Sequence, residues 1–164
     1  MLLQKKTALT HILIIFLGMA FSISAKASES LIFDKATVSI SGMHAKVAAG
    51  YVSIENIGAK EDVLLSVKSD FAKISEIHEM KHVNSVMKMR KITSGIAIKS
   101  NTTVSLRKGG YHIMFMKLAK HLSPGEVVSV KLKFQNLGWV IKDFRVSDGH
   151  QMSGNEHSHT EDNQ

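Results

Sequence analysis

The chain contains no cysteine. That excludes a disulfide staple, a thiolate metal site, a CxxC redox centre and a cysteine nucleophile. Folding must then rest on burial, and any soft metal ligand must be a methionine thioether. Proline occurs once, at Pro124, the second position of the turn Ser123-Pro124-Gly125-Glu126. No apolar run approaches the roughly 20 residues a spanning helix needs. The lysines are scattered, with no basic helix or aromatic-basic stripe, so the net charge of +7 is not a nucleic-acid signature. Nucleophile elbows, paired carboxylates and phosphate-cradling glycine loops are missing too, which argues against an enzyme. What is there suits one globular domain: 164 residues, 44% hydrophobic and 21% charged, enough to close a core and too mixed in charge for a disordered chain.

Residues 1–27 read as a secretory signal peptide. Lys5 and Lys6 precede the short apolar stretch Ile12 to Ile23, and Ala25-Lys26-Ala27 offers a small-x-small cleavage site. Cleavage leaves 137 of the 164 residues and removes three lysines and no acid, lowering the net charge from +7 to +4. The expected location is the periplasm, with no membrane span once processed.

From residue 28 to 146 short alternating runs recur at about ten-residue intervals, each broken by turn residues, the all-β pattern. They are Ala36–Ile40, Gly50–Ile54, Val63–Val67, Ala72–Met80, Val86–Ile92, Gly95–Ile98, Thr103–Leu106, His112–Met116, Val127–Phe134 and Trp139–Val146. The fourth and fifth form a hairpin about Asn84-Ser85. In Val127–Phe134, Val128, Val130, Leu132 and Phe134 face one way and Ser129, Lys131 and Lys133 the other. These short strands predict a β-sandwich or Greek-key barrel. From residue 147 to 164 the composition turns polar and cannot bury a core, which predicts a disordered tail containing His150, Met152, His157 and His159.

Methionine and histidine are unevenly spread. Between residues 78 and 116 lie His78, Met80, His82, Met87, Met89, His112, Met114 and Met116. Three groups have the form His-x-Met or Met-x-Met: His78-Glu79-Met80, Met87-Lys88-Met89 and His112-Ile113-Met114. Residues two apart in a strand share a face, so each group presents two donors together. Ile113 and Phe115 suit the core, which turns His112 and Met114 away from it. A lone methionine is usually core filler and a lone histidine a hydrogen-bonded surface residue, so a packing face and a metal site both fit the spacing. If a metal, softness decides which. Thioether sulfur favours Cu(I) over Zn(II), Ca(II) or Mg(II); zinc wants Cys, more His or carboxylate; a blue-copper centre needs a thiolate.

His78, Met89, His112 and Met114 resemble the copper-binding pattern of the PCuAC (periplasmic copper chaperone) domain family: His, ten residues, Met, about twenty-one residues, then His-x-Met. Ten residues separate His78 from Met89 and twenty-two separate Met89 from His112, the extra one falling between Lys91 and Gly110. AAGYVSIENIG (48–58), EIHEM (76–80), VMKMR (86–90) and GGYHIMFMKL (109–118) support the likeness, which covers roughly residues 33–146. The resemblance implies a cupredoxin-like β-barrel holding Cu(I) at its surface through His78, Met89, His112 and Met114. Met80 sits where many members carry an extra methionine and is an additional ligand on that reading. Met87 and Met116 are assigned to packing around the ligands and His82 to solvent. The resemblance further implies delivery of copper towards the CuA centre of cytochrome c oxidase subunit II, with a Sco-type thiol protein. Some members also carry a Met/His-rich extension, so the tail residues His150, Met152, His157 and His159 are either a second site that captures Cu(II) or an ordinary solvated tail. Two rival functions stand beside delivery: copper storage or resistance, and a metal-free secreted interaction module with a sticky Met/His face.

Overall fold

The computed structural model describes residues 30–42 and 44–149; the signal-peptide reading and the tail residues from His150 onward lie outside them. The described chain is all β. Its ten strands are β1 (Leu31–Ile40), β2 (Val47–Asn56), β3 (Asp62–Ser69), β4 (Ala72–Val83), β5 (Val86–Lys91), β6 (Ile96–Ile98), β7 (Thr102–Leu106), β8 (Tyr111–Leu118), β9 (Val127–Phe134) and β10 (Gly138–Asp148). Each expected run lies within or over one of them. The differences are at strand ends: β1 begins five residues before Ala36, β2 three before Gly50, β4 runs three past Met80 and β10 two past Val146.

The strands form one sheet in the order β5-β4-β8-β2-β1-β10-β9-β3-β6, with β7 also on β2. β2 divides its pairing. Val47–Gly50 oppose β8, and Val52–Asn56 oppose β7. β1 and β10 run parallel, with Thr37 opposite Arg145; every other pairing is antiparallel. Ile77, Ile113 and Phe115 from one wing of the sheet share a single buried cluster with Leu64, Val130, Leu132 and Phe134 from the other. The sheet therefore curls around one core, the closure by which antiparallel folds limit exposed edges.

Alternation sets what enters that core. Val128, Val130, Leu132 and Phe134 are at most 5% exposed, while Ser129 pairs with Asp143 outside. At Gly50 the absence of a side chain lets β2 and β8 approach. A Cβ there would meet Phe115 Cε2 at 2.8 Å and Ile113 Cβ at 3.1 Å. Asp62, 4% exposed, accepts hydrogen bonds from the backbone N–H of Val63 (2.7 Å), Asn136 (2.9 Å) and Leu137 (3.1 Å). It thereby ties the start of β3 to the β9–β10 turn.

Candidate metal centre

β5, β4 and β8 lie side by side at one end of the sheet. Asn84 and Ser85 have φ of 50° and 64°, the left-handed pair of a tight two-residue hairpin turn, and such a turn sets the register of its strands. Val83 opposes Val86, His82 opposes Met87, Met80 opposes Met89 and His78 opposes Lys91. Across the other edge of β4, Ile77 opposes Ile113, His78 opposes His112, Glu76 opposes Met114 and Ile74 opposes Met116. Ile77 and Ile113 point into the core, at 3% and 0% exposure. Successive side chains alternate between faces, so the opposite face of these three strands carries His78, Met80, His82, Met87, Met89, His112, Met114 and Met116 together.

His78 and His112 form the central row of this face, their ring centroids 5.9 Å apart. Met114 stands one row to one side on β8, and the Met80–Met89 pair one row to the other. A row is about 7 Å along a strand, a gap that methionine's three rotatable bonds can bridge. Met80 adjoins His78 on the same strand, whereas Met89 lies one strand further out and is 49% exposed. Met87 is 39% exposed, so it is not packed into the core. Met116 is half-buried opposite Ile74, and His82 is exposed.

The protonation of both rings follows from their partners. His112 Nδ1 lies 3.0 Å from the Gly110 carbonyl oxygen. A carbonyl only accepts, so in the neutral ring Nδ1 donates and Nε2 keeps the lone pair. His78 Nε2 lies 2.9 Å from Glu76 Oε2, which places its proton on Nε2. Its Nδ1 is buried with no hydrogen-bond partner. Leaving such a lone pair unsatisfied costs about 1–3 kcal/mol, and a bound ion would satisfy it. His112 faces away from the core, as the alternation with Ile113 and Phe115 requires, yet it is only 4% exposed. The site is thus outside the core but partly covered, whereas the alternation alone suggested an open exterior.

Glu76 had no part in the reading of the sequence. Its Oε1 accepts from Lys91 Nζ at 2.7 Å while Oε2 accepts from His78 Nε2–H. The Lys91 hydrogen bond, and then that of His78, hold its carboxyl below the usual carboxylate range. A carboxylate gripping the far nitrogen of an imidazole is the arrangement that orients metal-binding histidines. Two signals could have found it: the i, i+2 spacing of Glu76 and His78, and the Asn84-Ser85 turn, from which counting back sets Lys91 opposite His78.

Among the described residues no three His, Asp or Glu side chains gather at a point that could hold an ion. Nitrogen donors come here as a pair, and the donors around them are thioethers. Met114 also borders a groove of about 920 Å³ that Tyr51, Arg107 and Lys108 line, so it is reachable from solvent. Burial raises the Tyr51 phenol above its ordinary pKa. No helix among the described residues is long and apolar enough to cross a membrane.

Comparison with known proteins places the fold and the family. Over 153 residues the chain is 28% identical to a Leifsonia xyli subsp. xyli protein named as a lipoprotein, covering 87% of this chain and 91% of that one. Among solved structures it is similar to the apo PCuAC domain from PmoF1 (TM-score 0.63, 22% identity, 73% of this chain and 94% of that one). It is also similar to the copper-bound PCuAC domain from PmoF2 (0.60, 18%, 73% and 93%). A third is the Cu(I) form of DR1885 from Deinococcus radiodurans (0.57, 22%, 79% and 86%). These likenesses establish the fold as the cupredoxin-like PCuAC type. The lipoprotein LpqE-like family matches residues 31–146. A match over that much of the chain makes it a member of the LpqE-like family, of PCuAC type.

Proposed function

We propose that this domain binds one Cu(I) ion between His78 and His112, with Met114 and Met89 completing the donor set and Met80 as an additional ligand, and passes the ion on as a chaperone in the periplasm. The observation that carries the reading is the buried, unpartnered Nδ1 of His78, beside His112 in the paired strand and among thioethers on one face. Two imidazoles with neutral sulfur suit a soft monovalent ion better than Zn(II) or Ca(II). The copper-bound PmoF2 domain and Cu(I)-DR1885, which share the fold, support the same choice. Thioethers hold Cu(I) without adding negative charge, so release to a thiolate-bearing acceptor is favourable. The acceptors that fit are the CuA centre of cytochrome c oxidase subunit II and a Sco-type thiol protein.

The test is a Cu(I) titration against a competing chelator. The wild-type domain is expected to hold a tight equivalent that the double substitution His112→Ala/Met114→Leu loses. Weak binding indifferent to that change would favour an interaction module instead. Delivery is tested in a deletion strain, where oxidase activity should fall at low copper and recover when copper is added. Sensitivity confined to high copper would assign storage or resistance, a reading that the soft donors beyond the first four favour.

A further inference from the structure

The β4–β5 hairpin carries more soft donors than one ion uses. Beyond the Met80–Met89 row, His82 stands directly opposite Met87 on the same face. Residues so opposed have Cβ atoms about 5 Å apart, and the next row lies about 7 Å away. One imidazole and three thioethers therefore form a two-by-two patch at the tip of the hairpin. The other face of the ribbon is chemically different. There Glu79 pairs with Arg90, whose Nη2 lies 2.7 Å from Oε1, and Lys81 opposes Lys88.

Packing does not account for the sulfur face. Every residue from Lys81 to Lys91 is exposed, with Met87 at 39% and Met89 at 49%, and β5 is the edge strand with no neighbour beyond it among the described strands. An exposed ribbon gains little from unbranched apolar side chains, and sheet edges more commonly carry charge. From the Met80–Met89 row to the tip, charge occupies one face and is absent from the other; Lys91 lies further back, opposite His78. The turn at Asn84-Ser85 holds both donor rows in register without help from a core.

We propose that the hairpin tip is a second, separate Cu(I) site, formed by His82 and Met87 with one methionine of the Met80–Met89 row. The other methionine of that row serves the His78–His112 ion, so that with both sites filled the inner ion keeps one of Met80 and Met89 and not both. The row is thus the boundary between an outer, open site and an inner, partly covered one. The outer site has one imidazole where the inner has two, and its His82 and Met87 are exposed, so it binds more weakly and exchanges faster. It goes beyond the single-ion function proposed above and does not require the inner ion to be present.

The experiment is titration of the apo protein with Cu(I) under a competing chelator, and in parallel with Ag(I) as a non-redox probe followed by methionine methyl NMR. Three proteins are compared: wild type, His82→Gln/Met87→Leu and His112→Ala/Met114→Leu. The hairpin substitutions are exposed and near-isosteric, so the fold is retained. The wild type should take two equivalents, the second about tenfold or more weaker, with the Met87 methyl signal moving only with the second. The hairpin variant should keep the tight equivalent and lose the weak one. The inner variant should keep the weak equivalent and still move Met87. One equivalent in wild type, unchanged in the hairpin variant and with Met87 unmoved, would overturn the outer site and leave the inner one standing. A wild type whose only equivalent moves Met87 and survives the inner substitutions would overturn the inner site instead.

Discussion

Glu76 is where the geometry makes its sharpest quantitative demand. Its carboxylate accepts a hydrogen bond from Nε2–H of His78 at 2.9 Å and is itself anchored by Lys91 at 2.7 Å. With that contact the His78 ring is held with Nδ1 as the buried, unpartnered nitrogen; without it the ring can rotate and the lone pair is no longer fixed in place. A hydrogen bond to a charged group contributes about 1.5–3 kcal/mol net. Glu76 is 22% exposed, so the lower end of that range applies. At about 1.4 kcal/mol per decade of affinity, Glu76→Ala should weaken Cu(I) binding about tenfold, and partners of this kind typically account for 10–100-fold. Glu76→Gln keeps an acceptor for Nε2–H while losing the ion pair with Lys91, and should fall between wild type and alanine. Chelator competition reads the affinity. Long-range nitrogen–proton NMR of the apo protein independently reads the tautomer, which should be Nε2–H at His78 and Nδ1–H at His112. An alanine variant that is folded and binds Cu(I) within twofold of wild type would refute the reasoning, as would an Nδ1–H tautomer at His78.

Other expectations concern the frame that holds the site. Gly50→Ala puts a Cβ 2.8 Å from Phe115 Cε2, and the ring, 4.8 Å from Phe71 centroid to centroid, has no room to retreat; urea denaturation should show a loss of about 1–3 kcal/mol. Asp62→Ala strands backbone donors of the β9–β10 turn and should cost about 3 kcal/mol in the same assay. Lys120, and then the Ser123 backbone N–H, hold the Glu126 carboxyl below its ordinary pKa. The stability this group adds is therefore present above the unfolded carboxyl value near pH 4.3 and is lost as the pH falls through its lower folded value. Wild type should then unfold at higher urea than Glu126→Gln at pH 7, with the two midpoints converging in acid; a gap that persists at the lowest pH would refute the pairing.

Much of the scaffold was legible because strand alternation is a local property. Val128, Val130, Leu132 and Phe134 declare a core face without reference to any other segment, and Ile113 and Phe115 do the same in β8. The two residues of the Asn84-Ser85 turn, with apolar and donor positions counted outward from them, identify a hairpin before its partner strands are known. The same-face pairs His78/Met80, Met87/Met89 and His112/Met114 were legible for the same reason, since residues two apart share a face whatever surrounds them; the choice of His78, Met89, His112 and Met114 among them came from the resemblance to the PCuAC pattern. The burial of His112 was not, because 4% exposure on an outward-facing position comes from neighbours that the alternation of β8 does not contain.

The sequence by itself determined that this is a cysteine-free β domain whose soft donors are methionines and histidines in same-face pairs, because those facts depend only on composition and on a two-residue repeat. Only the tertiary structure decided that β8, distant along the chain, lies against β4 with His112 opposite His78, that Glu76 and Lys91 orient the His78 ring, and that its Nδ1 is left buried and unpartnered. The physical reason is that sheet register between non-adjacent strands is chosen by the packing of Ile77, Ile113 and Phe115 in a shared core, and the donors on the reverse face are placed by that choice.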